Sequence, residues 1–146
     1  MSSYPSFVDP ELAPLPAPHL PGLIRTACST YANDIAFTQC MPNGMNGKLT
    51  YQQVDELSDA FAVYLREHAG VQPGDRVAVQ MPNCLSYPIV AFGVFKAGAV
   101  LVNTNPLYTA PEMIHQFADS GAIILVVIDM FASRLDDVLP HTSIET

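Results

Sequence analysis

The residues with the clearest chemical potential sit where apolar runs give way to polar ones. Cys84 follows the apolar run Arg76–Met81 and opens a helical stretch, a place where the helix dipole can lower a thiol pKa. A nucleophilic cysteine also needs a base. None of the four histidines (His19, His68, His115 and His141) falls in a strand-end loop. Cys84 therefore reads as a small apolar residue in a first helical turn. The histidines form no HExxH pair and share no face with a second ligand, so each reads as packed or solvated. Asp55-Glu56 and Asp136-Asp137 are adjacent carboxylates. Neighbours on a helix point in different directions and do not share a proton, so both pairs read as solvated helix faces. Gly93 and Gly98 bracket Gly-Val-Phe-Lys-Ala-Gly, which is neither GxGxxG nor a phosphate loop with a following Lys-Ser/Thr. Packing and helix capping explain them. The most distinctive polar run is Asn103-Thr104-Asn105-Pro106-Leu107-Tyr108-Thr109. It could line a pocket. Loop satisfaction by Asn and Thr, and capping of the next helix by Thr109, account for it structurally. No residue is assigned a catalytic, cofactor-binding or metal-binding role.

The elements that carry these residues can be read from spacing. Residues 1–19 form a proline-rich arm, expected to be extended because proline fixes φ and removes a donor. Leu20, Leu23, Ile24, Ala27 and Tyr31 have helical spacing. Ile35–Gln39 and Leu49-Thr50-Tyr51 are short strands around the turn dipeptides Asn43-Gly44 and Asn46-Gly47, which predicts a small hairpin. Val54, Leu57, Ser58, Phe61, Ala62, Leu65 and Ala69 fall on one face of a long helix. Thr50 caps it, Gln53 completes a weak box, and Gly70 stops it. Strands are expected at Arg76–Met81, Ala99–Val102 and Ile123–Ile128. Helices are expected at Cys84–Ala97, capped by Asn83 or Ser86, at Thr109–Ser120, and at Phe131–Leu139. Thr109 and Glu112 form a capping box, and Gly121 ends that helix.

The order from Arg76 is β-α-β-α-β-α. The strands are continuous apolar runs, as expected for strands buried on both faces of a parallel sheet. The predicted fold class is therefore α/β: a parallel β-α-β-α-β half-sheet flanked by helices, with a small N-terminal hairpin. Such a sheet presents ligands at the carboxyl ends of its strands. Here those ends are Pro82-Asn83-Cys84, Asn103–Pro106 and Asp129-Met130.

Composition narrows the partners. Six bases against 14 acids give a formal net charge of -8. The bases are scattered, which argues against a nucleic-acid footprint and disfavours electrostatic docking on anionic lipid. Three cysteines with no CxxC pair argue against a disulfide framework or zinc site and fit free thiols in a reducing cytoplasm. The longest apolar stretch, Ile89–Val102, is broken by Lys96 and two glycines and is shorter than the ~20 residues of a membrane span. A hydrophobic share of 49% with only 14% charged residues suits a piece of a larger globule. If it is one, its folded form exposes apolar surface and is expected to self-associate.

Several phrases occur in one order: Leu49-Thr50-Tyr51, Val71–Ala78, Met81-Pro82-Asn83, Phe95-Lys96-Ala97-Gly98-Ala99, Asn105–Thr109 with Glu112 and His115-Gln116, and Asp119-Ser120-Gly121-Ala122. Over residues 20–139 the chain resembles the N-terminal region of adenylate-forming ligases, the acyl-CoA synthetase superfamily. Asn105-Pro-Leu-Tyr-Thr109 and Tyr87-Pro88 look most like bacterial long-chain fatty-acid–CoA ligases. The resemblance implies that residues 20–146 are the N-terminal, truncated part of the AMP-binding large domain. It implies a parent that activates a fatty acid with ATP and Mg2+ to an acyl-adenylate and passes it to CoA, releasing AMP and pyrophosphate. Such a parent would be cytoplasmic, or peripheral at the inner face of the membrane. The phosphate loop, acidic metal motif, hinge aspartate and late catalytic lysine of that family are not in the 146 residues. No catalytic residue is carried over, and the chain alone is expected to be inactive, without bound cofactor. The alternatives are another acyl- or aryl-CoA ligase of the superfamily, a stand-alone non-catalytic interaction module, and a flavodoxin-like nucleotide binder. The missing glycine loop disfavours the last.

Overall fold

A computed structural model describes residues 14–145. Residues 1–13 of the proline-rich arm lie outside the described residues; residues 14–19 have no regular structure, and all but Ala17 are exposed. Helix α1 spans Leu20–Thr30. His19 stands at its N-cap, and its Nδ1 accepts from the Gly22 N–H at 3.0 Å.

Strands β1 (Ile35–Cys40) and β2 (Asn46–Thr50) pair antiparallel, with Cys40 opposite Asn46. The turn is built from Met41 to Met45, where Gly44 takes a left-handed φ of 83° and Asn43 Oδ1 accepts from the Met45 N–H at 3.1 Å. Two details differ from the sequence reading. Asn46-Gly47 lies inside β2, and Tyr51 opens helix α2 (Tyr51–Glu67) rather than closing the strand. The capping box is the reason. Thr50 Oγ1 accepts from the Gln53 N–H and Gln53 Oε1 accepts from the Thr50 N–H, which draws Tyr51 into the helix. At the other end the Val71 N–H returns to Leu65 O at 2.9 Å across left-handed Gly70.

Strands β3 (Arg76–Gln80), β4 (Val100–Asn103) and β5 (Ile124–Val127) form a parallel sheet in the order β4-β3-β5. Only the central β3 is buried along nearly its whole length. The edge strands β4 and β5 are mostly half-exposed, so their unbroken apolar character overstated their burial. Helix α3 (Ser86–Lys96) follows β3, and helix α4 (Ala110–Ser120) follows β4. One core lies between the sheet and helices α2 and α3: Val77 and Val79 meet Leu65, Val90 and Val94. The other lies on the opposite face, where Ala78 meets Met113 and Phe117 of α4 and Val138. Strand alternation separates the two cores.

Neither expected cap of α3 is used. Leu85 occupies its N-cap without a side-chain cap bond, and its N–H donates to Gln39 Oε1 on β1 at 3.2 Å. Pro88 sits in the first turn, where no intrahelical donor is needed. The helix expected at Phe131–Leu139 is a composite. A 3₁₀ stretch at Asp129–Arg134 leads into one α turn, α5 (Leu135–Val138), and a second 3₁₀ turn at Leu139–His141. Pro140 lacks the N–H that a continuing α-helix would use.

Candidate functional site

The carboxyl ends of the parallel strands are held by amide side chains. Gln80, the last residue of β3, is buried, and its Nε2 donates to Asn105 O at 3.2 Å. Gln116 on α4 donates through Nε2 to Asn103 O at 2.8 Å. From the other face of the sheet the Tyr87 hydroxyl donates to Asn103 Oδ1 at 2.8 Å. Asn105 Oδ1 accepts from the Leu107 N–H at 3.0 Å, and Arg134 Nη1 donates to Tyr108 O at 2.7 Å. The run Asn103–Thr109 is thus fixed from β3, α3, α4 and the C-terminal 3₁₀ stretch. Gln80 is not singled out by the sequence, and Gln116 enters there only in the phrase His115-Gln116. A polar residue ending an apolar strand is the signal that could have found Gln80.

Thr109 and Glu112 close the loop onto α4. Glu112 accepts from the Thr109 hydroxyl at 2.7 Å and from its N–H at 2.8 Å. These bonds stabilise the carboxylate and hold the Glu112 pKa below its ordinary value.

Cys84 is half-buried and lines a cleft of about 360 Å³ with Thr38, Gln39, Cys40, Asn83 and Tyr87. No histidine lines that cleft. His115 is exposed in a groove on α4 beside Glu112, Gln116 and Asp119. His68 lies against the Tyr64 ring at a centroid distance of 5.8 Å, and His141 is exposed. The structure does not bring the four histidines together.

Asp55 corrects the sequence reading. It is no solvated helix face: Lys96 Nζ lies 2.6 Å from Asp55 Oδ1 and 2.7 Å from Asp59 Oδ1, with the Lys96 side chain only 4% exposed. Lys96 also donates to Asp55 O at 3.0 Å. The ion group ties α3 to α2. Cys28 is buried nearby; burial, reinforced by the Asp55 carboxylate, raises its thiol pKa. Asp136 and Asp137 are exposed, as read.

Gly93 and Gly98 are explained by packing and backbone form. A Cβ on Gly93 would come within 2.7 Å of Phe61 Cδ1 and 3.0 Å of Ser58 O on α2. Gly98 has a left-handed φ of 79° after α3.

Chemically, the strand-end loops offer neutral amides and hydroxyls. Lys96 is committed to two carboxylates, and Arg76 is committed to Ser120 O and Gly121 O at the end of α4. Among the described residues no group of three His, Cys, Asp or Glu side chains could hold a metal ion. No helix of the described residues is long and apolar enough to cross a membrane.

A parallel sheet with helices on both faces defines an α/β domain. Within that class the chain belongs to the AMP-binding enzyme family, whose model matches residues 24–145. A long-chain-fatty-acid–CoA ligase of Yersinia pestis is 41% identical over 144 residues, which is 99% of this chain and 25% of the relative. One of Haemophilus influenzae is 48% identical over 101 residues, covering 69% of this chain and 18% of the relative. Among solved structures, a Mycobacterium tuberculosis fatty acyl CoA synthetase superposes with a TM-score of 0.77 at 26% identity, over 87% of this chain and 25% of that one. The chain therefore spans about a quarter of the length of the curated relatives it matches, and corresponds to an N-terminal part of them.

Proposed function

We propose that this chain is the opening scaffold of the large domain of a long-chain fatty-acid–CoA ligase. The full enzyme would join a fatty acid to CoA through an acyl-adenylate, using ATP and Mg2+ and releasing AMP and pyrophosphate. It would act in the cytoplasm or at the inner face of the membrane, where its substrate partitions. The observation that carries this reading is the identity of about 40% with long-chain-fatty-acid–CoA ligases across nearly the whole chain.

The chain's own part is architectural. Adenylyl transfer needs fixed positive charge or aligned donors where negative charge develops on phosphate. The residues present do not suit ATP–Mg2+. The loop after β4 is tied down by Gln80, Gln116 and Arg134, and the buried lysine faces away into an ion group. No step of the reaction is routed through this chain. It supplies three strands of a parallel sheet and the helices that cover them, and catalytic groups come from the remaining length of the enzyme. Apolar side chains exposed on α2, among them Leu57, Val63 and Tyr64, support self-association of the chain on its own.

Isothermal titration of the chain with millimolar ATP and Mg2+ tests the architectural role. The expected trace shows no saturable heat. A stoichiometric binding curve would refute it.

A further inference from the structure

Three buried oxygens near the carboxyl ends of β3 and β4 have no partner in the protein: Gln80 Oε1, Thr104 Oγ1 and Gln116 Oε1. Gln80 is 1% exposed and Thr104 is 4% exposed. Their placement follows from strand parity. Val79 pairs with Asn103, and the Thr104 N–H continues the ladder to Val79 O at 2.9 Å. Gln80 and Thr104 are therefore neighbours on the sheet face that carries Ala78, and α4 packs on that face. Gln116 reaches the same loop from α4.

The orientation of each amide is set. Both glutamine Nε2 groups donate to loop carbonyls, those of Asn105 and Asn103. Turning either amide over would press its oxygen against a carbonyl oxygen. Each Oε1 thus stays an acceptor that needs a donor. Arg134, the cation bound to this loop, is exposed and donates through Nη1 to Tyr108 O. A buried acceptor without a donor is costly, and native proteins meet such a need with ordered water.

We infer that Gln80, Thr104 and Gln116 form an internal water site under the Asn103–Pro106 loop. The ligand is a water-sized neutral molecule that donates two hydrogen bonds. The groups that define the site are two amides and a hydroxyl, with the backbone carbonyls of the loop beside them. An isolated buried charge costs far more than a buried neutral donor. The water joins the ends of β3 and β4 to α4 and makes the loop one rigid piece with the sheet.

Two measurements on the 146-residue chain test the site. The first is thermal unfolding of Thr104→Val, Gln80→Met and the double variant, in sodium, potassium and choline chloride at equal ionic strength. Thr104→Val keeps the side-chain shape and removes the hydroxyl. Loss of a hydrogen-bonded water lowers Tm by roughly 3–6 °C, the double variant loses less than the sum because both changes empty one site, and the cation makes no difference. A rise or no change in Tm for Thr104→Val overturns the inference, because removing a truly unpartnered hydroxyl relieves a cost. Strictly additive losses overturn the shared site, and a midpoint that follows potassium or sodium assigns the site to a cation instead. The second is NMR on the unsubstituted chain, which stands even where a variant does not fold. A cross-relaxation peak between the Thr104 methyl group and long-lived water is expected, and its absence contradicts the site.

Discussion

Replacing Lys96 with methionine should remove the main polar tie between α2 and α3 while keeping an unbranched apolar stem of similar length. Lys96 is 4% exposed, and its ammonium lies 2.6 Å from Asp55 and 2.7 Å from Asp59. Breaking a fully buried ion pair from one side costs about 3–5 kcal/mol, because the remaining charge stays buried and unpaired. Here Asp55 keeps 27% and Asp59 51% of its side-chain exposure, so water screens part of that cost. The lost bond to Asp55 O adds to it. The discounted figure for Lys96→Met is about 2–3 kcal/mol. At about 2.1 cal/mol/K per residue, 146 residues give an unfolding entropy of about 0.3 kcal/mol/K, so Tm should fall by roughly 8 °C. Circular dichroism during heating, backed by urea unfolding, reads this directly. Adding Asp55→Asn to Lys96→Met should recover part of the loss, because the more buried of the two stranded carboxylates is then neutral. A Lys96→Met chain within about 0.5 kcal/mol of the parent, or no recovery in the double variant, would refute the reasoning.

Two further outcomes follow from the same packing and capping. Gly93→Ala should destabilise the chain by about 1–3 kcal/mol, since its Cβ would meet Ser58 O, a backbone atom that cannot move aside, and chemical denaturation checks it. Glu112 has a folded pKa below its unfolded one, so its contribution is present above the unfolded value and is lost as pH falls through the folded value. Amide exchange in the first turn of α4 should therefore speed up as pH falls through the lowered folded value, and Glu112→Gln should flatten that acid dependence.

Much of the fold could be read from the sequence because local signals agreed with the global arrangement. Thr50-Gln53 and Thr109-Glu112 form capping boxes, Gly70 and Gly121 take left-handed φ values of 69° and 61°, and the three apolar runs pair in parallel. What escaped was set by partners distant in sequence. Leu85 starts α3 without a side-chain cap, and its N–H is held by Gln39, 46 residues away. Asp55 looks solvated in its own helix, and Lys96 is 41 residues away. The last helix broke into 3₁₀ turns on either side of one α turn, with Pro140 in the second of them, where apolar spacing alone promised a regular helix. At the strand ends, the sequence of Asn103–Thr109 suits either a pocket lining or a structural loop, with helix capping favouring the loop. The Asn103, Asn105 and Thr109 side chains bond within and around the loop, and two residues that hold its backbone, Gln80 and Gln116, come from separate elements.

The central claim is that these residues are the scaffold of a long-chain fatty-acid–CoA ligase. A chimera tests it most directly. The corresponding N-terminal quarter of the Yersinia pestis relative, 41% identical to this chain, is replaced by residues 1–146, and AMP release from ATP is measured with a long-chain fatty acid and CoA. A folded chimera that releases AMP at a rate within about tenfold of the parent ligase, beside an inactive isolated chain, is the expected result. A folded chimera that makes no AMP, or AMP release by the 146 residues alone, would contradict it.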